Sequence, residues 1–176
     1  MIQRIRNNAT TAAELFRDAE LKEEQGDLRG AFRSLLAAAK RGDILSPLNL
    51  GNFYASGRGV RKNLQEAARW YKRAYRSGQS AGAINLAVDL QKQGNVRGAI
   101  AWLKRAVVMD DGEACVQLAQ IYLKRRNGAK TAANLLRKAI SLSPSNISDE
   151  SKEHAKVLLR RIDKREAAQV SVQDPG

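Results

Sequence analysis

Small and large apolar residues recur along this chain with one spacing typical of a helix turn and a second typical of a structural repeat. Four segments each open with a small residue, a Leu or its equivalent three positions later and an apolar residue four after that: Ala12/Leu15/Ala19, Pro47/Leu50/Tyr54, Ala83/Leu86/Leu90 and Cys115/Leu118/Tyr122. A second set follows in each segment: Ala31/Leu35/Ala39, Ala67/Trp70/Ala74, Ala99/Trp102/Ala106 and Ala132/Leu135/Ala139. The leading Leu recurs after 35, 36 and 32 residues. Apolar stripes at helical spacing that repeat every 32–36 residues predict stacked helix–turn–helix repeats.

The stripes and their flanking Gly, Asn and Thr residues predict where the helices lie. Thr10 or Thr11 can cap the first helix and Asn63 the fourth, while Gly26, Gly42 and Gly78 mark helix ends. The predicted helices span about 11–25, 28–41, 47–56, 64–77, 81–93, 96–109, 112–126 and 130–142. They form four repeats within one domain of residues 1–168, with bounds of about 11–45, 46–80, 81–111 and 112–147.

A ninth helix is predicted over about 148–168, followed by a disordered tail at 169–176. Its first turns are acidic, which the helix dipole favours, and Val157, Leu158 and Ile162 form one apolar stripe. A terminal helix with a single apolar face is typical of a cap on the last repeat. Inside the repeats, the recurring Ala residues are expected at helix crossings, and Trp70 and Trp102 are expected to fill the core beside them.

The second repeat resembles the Sel-one-like repeat. It carries Leu50-Gly51 with Tyr54, the loop Gly57-Arg58-Gly59-Val60, and a second helix with Ala67, Trp70-Tyr71 and Ala74. The first and third repeats have shorter turns, at residues 25–27 and 93–95, and resemble the related tetratricopeptide repeat. The fourth repeat resembles it in its last segment, Ala139-Ile140-Ser141-Leu142-Ser143-Pro144. The resemblance covers residues 11–144. It implies an all-α, right-handed superhelical solenoid of four helix–turn–helix repeats plus a C-terminal capping helix, and a non-catalytic role in assembling proteins.

Composition and charge narrow the function classes. The net charge is +13, and two segments supply nearly all of the positive excess. Residues 46–80 contain seven basic residues and one acidic residue, and residues 114–147 contain six basic residues and no acidic one. Such a field favours acidic partners. The single cysteine, Cys115, excludes an internal disulfide and suits a reducing compartment, where it is expected to be a buried packing residue. Without an apolar signal segment or membrane span in the sequence, the cytoplasm is the expected location.

The basic residues fall into two groups. The pairs Lys72-Arg73, Lys104-Arg105 and Arg137-Lys138 precede the closing Ala of three repeats and are expected on a solvated outer face. The second group, called here the basic edge, lies in the turns within the repeats, which share one side of such a solenoid. It is the preferred candidate for contact with an acidic partner, and its members are Arg29, Arg58, Arg61, Lys62, Arg97, Lys124, Arg125, Arg126 and Lys130.

The first helices supply a second candidate surface, because the resembled families bind peptides or proteins in a concave groove formed by these helices. The predicted groove residues flank each leading Leu, with Ala13 in the first repeat, and are Arg17, Leu48, Asn52, Ile84, Val88, Val116 and Gln120. Leu48, Ile84 and Val116 would align as an apolar stripe. They either line a binding groove or are buried against neighbouring helices, and the sequence leaves both open.

These observations predict a non-enzymatic adaptor or partner-specific inhibitor that binds a dedicated, acidic-surfaced protein. One narrower version is an immunity- or antitoxin-like protein that covers an enzyme, and another alternative is nucleic-acid binding through the basic edge. No metal, cofactor or membrane partner is expected. His154 is the one histidine and lies in the charged ninth helix, and no phosphate loop or Cys/His cluster accompanies it.

Overall fold

A computed structural model describes residues 10–173, except for the side chains at 166 and 169–173. Within these residues the chain forms nine α-helices and no strand. The helices are α1 Ala12–Glu24, α2 Leu28–Lys40, α3 Ser46–Ser56, α4 Leu64–Arg76, α5 Ser80–Lys92, α6 Val96–Val108, α7 Gly112–Leu123, α8 Ala129–Ser141 and α9 Asp149–Gln173. The predicted all-α class, with four helix pairs and a C-terminal capping helix, is confirmed.

The last helix is longer than the sequence pattern predicts. The predicted end near 168 is wrong, because α9 continues to Gln173 and includes most of the segment expected to be a disordered tail. No Gly or Pro interrupts this segment before Pro175, so the backbone can continue as a helix. The rest of the predicted tail, residues 174–176, lies outside the described residues.

Polar caps and left-handed turns fix the helix ends. Thr11 caps α1 in a capping box, where its hydroxyl accepts from the Glu14 N–H at 3.1 Å and the Glu14 carboxylate accepts from the Thr11 N–H at 2.6 Å. Asn63 caps α4 by accepting from two backbone N–H groups. The expected stop Gly26 has φ +80°, a left-handed conformation in which a side chain would be strained.

The contacts divide the chain into two compact units, and the division falls within α5, between Leu86 and Ala87. In the first unit, α1 packs on α2, α2 on α3 and α3 on α4. Its core contains the predicted Ala and Leu positions together with Phe53, and the buried members are Ala19, Ala31, Leu35, Ala39, Leu50 and Phe53. A polar contact joins α1 to α2: Ser34 donates to the Asp18 carboxylate at 2.5 Å, and Lys22 pairs with the same oxygen.

In the second unit, α6 packs on α7, α7 on α8, and α9 on both α7 and α8. Ala155 and Ile162 of α9 are buried in the same cluster as Ala119 and Leu136, so the ninth helix covers the last repeat as predicted. The stripe is shifted from the expected one, since Val157 is 39% exposed. The single predicted domain of residues 1–168 stays a prediction.

The expectation that Trp70 and Trp102 fill the core is only partly met. Both indoles are half-buried, whereas the next residues, Tyr71 and Leu103, are 3% and 0% exposed. One residue changes the direction of a helical side chain by about 100°, which is enough to exchange a core position for a boundary position. The guanidinium of Arg105 lies over the Trp102 ring, 4.4 Å from its centroid. The two Trp residues therefore cover the edge of the core.

Candidate interaction surfaces

The basic edge of the first unit lies where the α3–α4 loop meets the start of α2. Gly59 has φ +64° and its backbone lies so close to the Leu28 carbonyl that a Cβ at this position would collide with it. This close approach brings Arg61 beside Arg29, and the two line one shallow depression. Arg58 instead pairs with Glu23 at 2.8 Å. All four predicted members in this unit, Arg29, Arg58, Arg61 and Lys62, are exposed.

The basic edge of the second unit contains a larger depression, called here the turn pocket. It has a volume of about 550 Å³ and lies between the α5–α6 turn and the end of α7. Its lining residues are Gln91, Lys92, Val96, Ile121, Lys124 and Arg125. The five predicted edge residues of this unit are all exposed: Arg97, Lys124, Arg125, Arg126 and Lys130.

Sequence reasoning missed Lys92 as a member of this surface. It is the last residue of α5 and lies on the helix that leads into the turn, whereas the basic edge was drawn from residues after or within the turns. Its position at a helix C-terminus, five residues before Arg97, was the available signal. Sequence reasoning also missed Val96 and Ile121, because their apolar side chains line the pocket but belong to no basic motif.

The cations of the basic edge make few ion pairs. Within residues 10–173, Arg58 is the one edge residue with an ion pair. Two of them contact aromatic rings, since Arg58 lies 5.7 Å from the Phe53 ring centroid and Arg125 lies 5.6 Å from that of Tyr122. The remaining positive charge is open to solvent and available to a negatively charged partner.

The predicted groove residues of the first unit have mixed exposure. Arg17 is exposed, while Leu48 and Ile84 are half-buried. Asn52 is exposed but its side-chain oxygen is engaged, because it accepts from the Tyr71 hydroxyl at 2.9 Å and from the Asn85 amide at 3.0 Å. This network connects α3 with α4 and α5, which gives Asn52 a structural role.

In the second unit, α9 occupies the face predicted to be a groove. Val116 is only 5% exposed and belongs to the cluster that α9 covers, so its assignment as a groove residue is corrected: it is a core residue. Gln120 is exposed and lies 3.0 Å from the His154 ring of α9, and Val88 is half-buried. The alternative of burial against a neighbouring helix therefore holds at Val116, and a continuous groove stays a prediction.

The basic pairs of the second helices do more than face solvent. The Arg73 guanidinium donates at 2.8 Å to the Ala39 carbonyl near the end of α2, and stacks 5.3 Å from the Trp70 ring centroid. Lys138, at the equivalent position of the fourth repeat, donates at 2.9 Å to the Val107 carbonyl near the end of α6. Each side chain thus supplies a charged donor to the C-terminal carbonyls of the preceding repeat.

The reactive side chains offer little chemistry. Cys115 is fully buried, and this burial raises the pKa of its thiol to about 11. Among residues 10–173, no group of three His, Cys, Asp or Glu residues is arranged to hold a metal ion. No helix of the described segment is long and apolar enough to cross a membrane.

Comparison with solved structures identifies the fold. No known family profile matches the sequence, and neither does any curated protein. A Sel1 repeat protein from Oxalobacter formigenes aligns over 73% of this chain and 57% of its own, with 24% identity and a TM-score of 0.62. The c5321 protein, a protective antigen of uropathogenic Escherichia coli with an SLR fold, aligns over 89% of this chain and 34% of its own, with 16% identity and a TM-score of 0.70.

MamA matches over 91% of this chain and 94% of its own length, with 17% identity and a TM-score of 0.56. The chain thus spans less than two thirds of the Oxalobacter and Escherichia coli proteins and nearly all of MamA. At these identities the likeness concerns the fold. The chain has the Sel1-like helical repeat fold that the motifs of its second repeat predict.

Proposed function

We propose that this protein is a non-enzymatic interaction module that binds a partner protein with an acidic surface through its basic edge. The observation that carries this proposal is the set of exposed turn cations, of which only Arg58 makes an ion pair within the described residues. In repeat folds of this type, packing between neighbouring helix pairs stabilises the fold, and the extended surface is available for binding. Charge complementarity at such a surface raises association rates and selects partners.

A binding role also agrees with the state of the reactive groups. A thiol with a pKa near 11 holds almost no thiolate at neutral pH, so Cys115 is a poor nucleophile. His154 contacts Gln120 on the outside of the α7–α9 pair rather than a nucleophile or an acid. We therefore assign Cys115 to packing. Because a single free cysteine suits a reducing compartment, we also propose a cytoplasmic location.

Nucleic acid is the weaker candidate for the basic edge. Single strands are usually bound by stacking bases on accessible aromatic rings. All nine aromatic residues of the chain lie in the described segment, and each is buried or half-buried. The basic edge thus offers charge without stacking platforms. The narrower immunity- or antitoxin-like role has no separate support from the geometry of this chain and stays a prediction.

Affinity capture with charge-reversed variants tests the proposal. We would immobilise the wild-type protein and the variants Arg61→Glu/Lys62→Glu and Arg126→Glu/Lys130→Glu, then quantify the proteins retained from nuclease-treated host extract. A partner bound through the basic edge should be lost from at least one variant, and its retention should fall as the salt concentration rises.

The control is Lys72→Glu/Lys104→Glu, which changes the net charge equally but alters exposed positions on the second helices. It should retain the partner like the wild type. Equal losses in edge and control variants would mean that net charge alone governs binding. In a separate assay with labelled RNA or DNA in place of the extract, binding at physiological salt that only the edge variants abolish would favour the nucleic-acid alternative.

A further inference from the structure

We propose that the turn pocket of the second unit receives an acidic peptide segment of the partner, with one aliphatic side chain of that segment inserted between Val96 and Ile121. This inference rests on the proposed function and specifies the chemistry of one contact. It follows from the combination of an apolar floor, a cationic rim and a defined shape at a single place in the fold.

Short-range contacts build the pocket from two turns. Gly94, with φ +78°, reverses the chain after α5, and the Asn95 N–H donates to the Leu90 carbonyl at 2.8 Å. The Asn95 side chain then caps α6 by accepting from the Gly98 N–H at 2.9 Å. This places Val96 at the first position of α6, opposite the last turn of α7. A glycine turn and a side-chain cap therefore hold this wall of the pocket in place.

The floor of the pocket is apolar. Ile121 is 7% exposed and packs into the protein, while Val96 leaves 39% of its surface open. An exposed valine beside a buried isoleucine provides a place where an inserted Leu, Ile or Val would remove apolar surface from water. A volume of about 550 Å³ falls in the usual range of about 300–1,000 Å³ for binding pockets.

The rim of the pocket is cationic. Lys92 ends α5, and Lys124 and Arg125 directly follow α7, so three positive charges line one opening. The Arg125 guanidinium lies over the Tyr122 ring at 5.6 Å, which limits its freedom. Its backbone N–H also donates to the Tyr122 carbonyl at 2.9 Å. Carboxylates on both sides of an inserted aliphatic residue would face these three cations.

The surrounding sequence adds no negative charge. Residues 90–109 and 114–148, which include both turns, contain no Asp or Glu. Asp89 lies one turn before Lys92, but one of its carboxylate oxygens is buried, and Asp89 does not line the pocket. Arg126 lies in the α7–α8 turn, and Arg97 and Lys130 lie in the first turns of α6 and α8, so all three extend the positive field. The pocket thus complements an acidic segment over more than its immediate lining.

Fluorescence anisotropy with designed peptides tests this inference. The probe is a fluorescein-labelled heptapeptide, Gly-Asp-Glu-Leu-Glu-Asp-Gly, used with the full chain at low and physiological salt. A second peptide replaces the central Leu by Ser, and a third replaces the acids by Asn and Gln. We expect the first peptide to bind at least tenfold more tightly than either of the others, because each substitution removes one of the two contributions.

Two variants locate the binding site. Lys124→Gln/Arg125→Gln should lower the affinity for the probe peptide about tenfold. The matched control, Lys72→Gln/Lys104→Gln, should leave this affinity unchanged. Val96→Asp should also weaken it about tenfold, while an acid at the first turn of α6 suits the helix dipole and preserves folding. Its control is Val157→Asp, at a valine of equal 39% exposure in α9.

The outcomes separate this inference from the proposed function. Equal binding of the Leu and Ser peptides, no probe binding by the wild type, or an effect of both control variants would overturn the pocket assignment. Tighter binding of a twelve-residue oligouridylate that displaces the peptide would overturn it too. If the pocket fails while Arg61→Glu/Lys62→Glu or Arg126→Glu/Lys130→Glu still abolishes partner capture, the proposed function stands without this contact.

Discussion

Replacing Arg73 by Met should destabilise the first unit although Arg73 is exposed. The substitution keeps an apolar stem against Trp70 but removes the charged donor that reaches the Ala39 carbonyl at 2.8 Å. Arg73 lies in the second repeat and Ala39 in the first, so the lost bond connects two repeats. Exposed charged residues of this kind usually contribute little, which makes the prediction a sharp test of the contact.

The expected magnitude follows from three contributions. A hydrogen bond from a charged group contributes about 1.5–3 kcal/mol. The interaction with a helix C-terminus adds about 0.3–1 kcal/mol, and an exposed cation–π contact about 0.5–1 kcal/mol. Because Arg73 is exposed, solvent screening reduces all three. We therefore expect a net loss of about 1.5 kcal/mol in the free energy of unfolding.

Urea denaturation followed by circular dichroism measures this loss. With a slope of about 2 kcal/mol per molar urea, the unfolding midpoint should fall by about 0.7 M. Lys72→Met is the matched control, since Lys72 is the exposed neighbour in the same pair, and it should change the midpoint by less than about 0.2 M. Arg73→Lys should lose less than Arg73→Met, because Lys138 makes the equivalent contact in the fourth repeat. Equal midpoints for Arg73→Met and Lys72→Met would refute the reasoning.

Three further outcomes are expected. Leu103→Ala should lower the free energy of unfolding by about 3 kcal/mol, because it leaves a cavity at a fully buried site. Trp102→Ala should lower it less, because the half-buried ring leaves no enclosed cavity. A larger loss for Trp102→Ala in chemical denaturation would contradict this expectation. The Cys115 thiol, with a pKa of about 11, should react with a thiol reagent at pH 8 at least tenfold more slowly in the folded protein than in urea, and equal rates would show that it is accessible. Deleting residues 149–176 should uncover the cluster around Val116 and produce oligomers in size-exclusion chromatography; a monomer of unchanged thermal stability would rule out the capping role of α9.

Local signals in the sequence determine the helices and their repeat. The stripe spacing, the Asn63 cap and the Gly26 stop act within a few residues along the chain, and the structure confirms the helix starts to within about two residues. The recurring Ala positions are likewise visible in the sequence. They mark the helix crossings, because only a small side chain permits two helices to approach closely. Each closing Ala, from Ala39 to Ala139, is fully buried.

The tertiary structure decides which face of each helix is covered and which turns meet. Val116 belongs to an apolar stripe in the sequence, yet its burial depends on α9, which begins more than thirty residues later. The sequence predicts a solvated cation at Arg73, whereas in the structure its guanidinium donates to a carbonyl near the end of α2. The turn pocket joins Val96 to Ile121 across two separate turns. Helix periodicity sets a side chain's direction to within about one residue, whereas burial and pocket formation depend on long-range packing that no local pattern encodes.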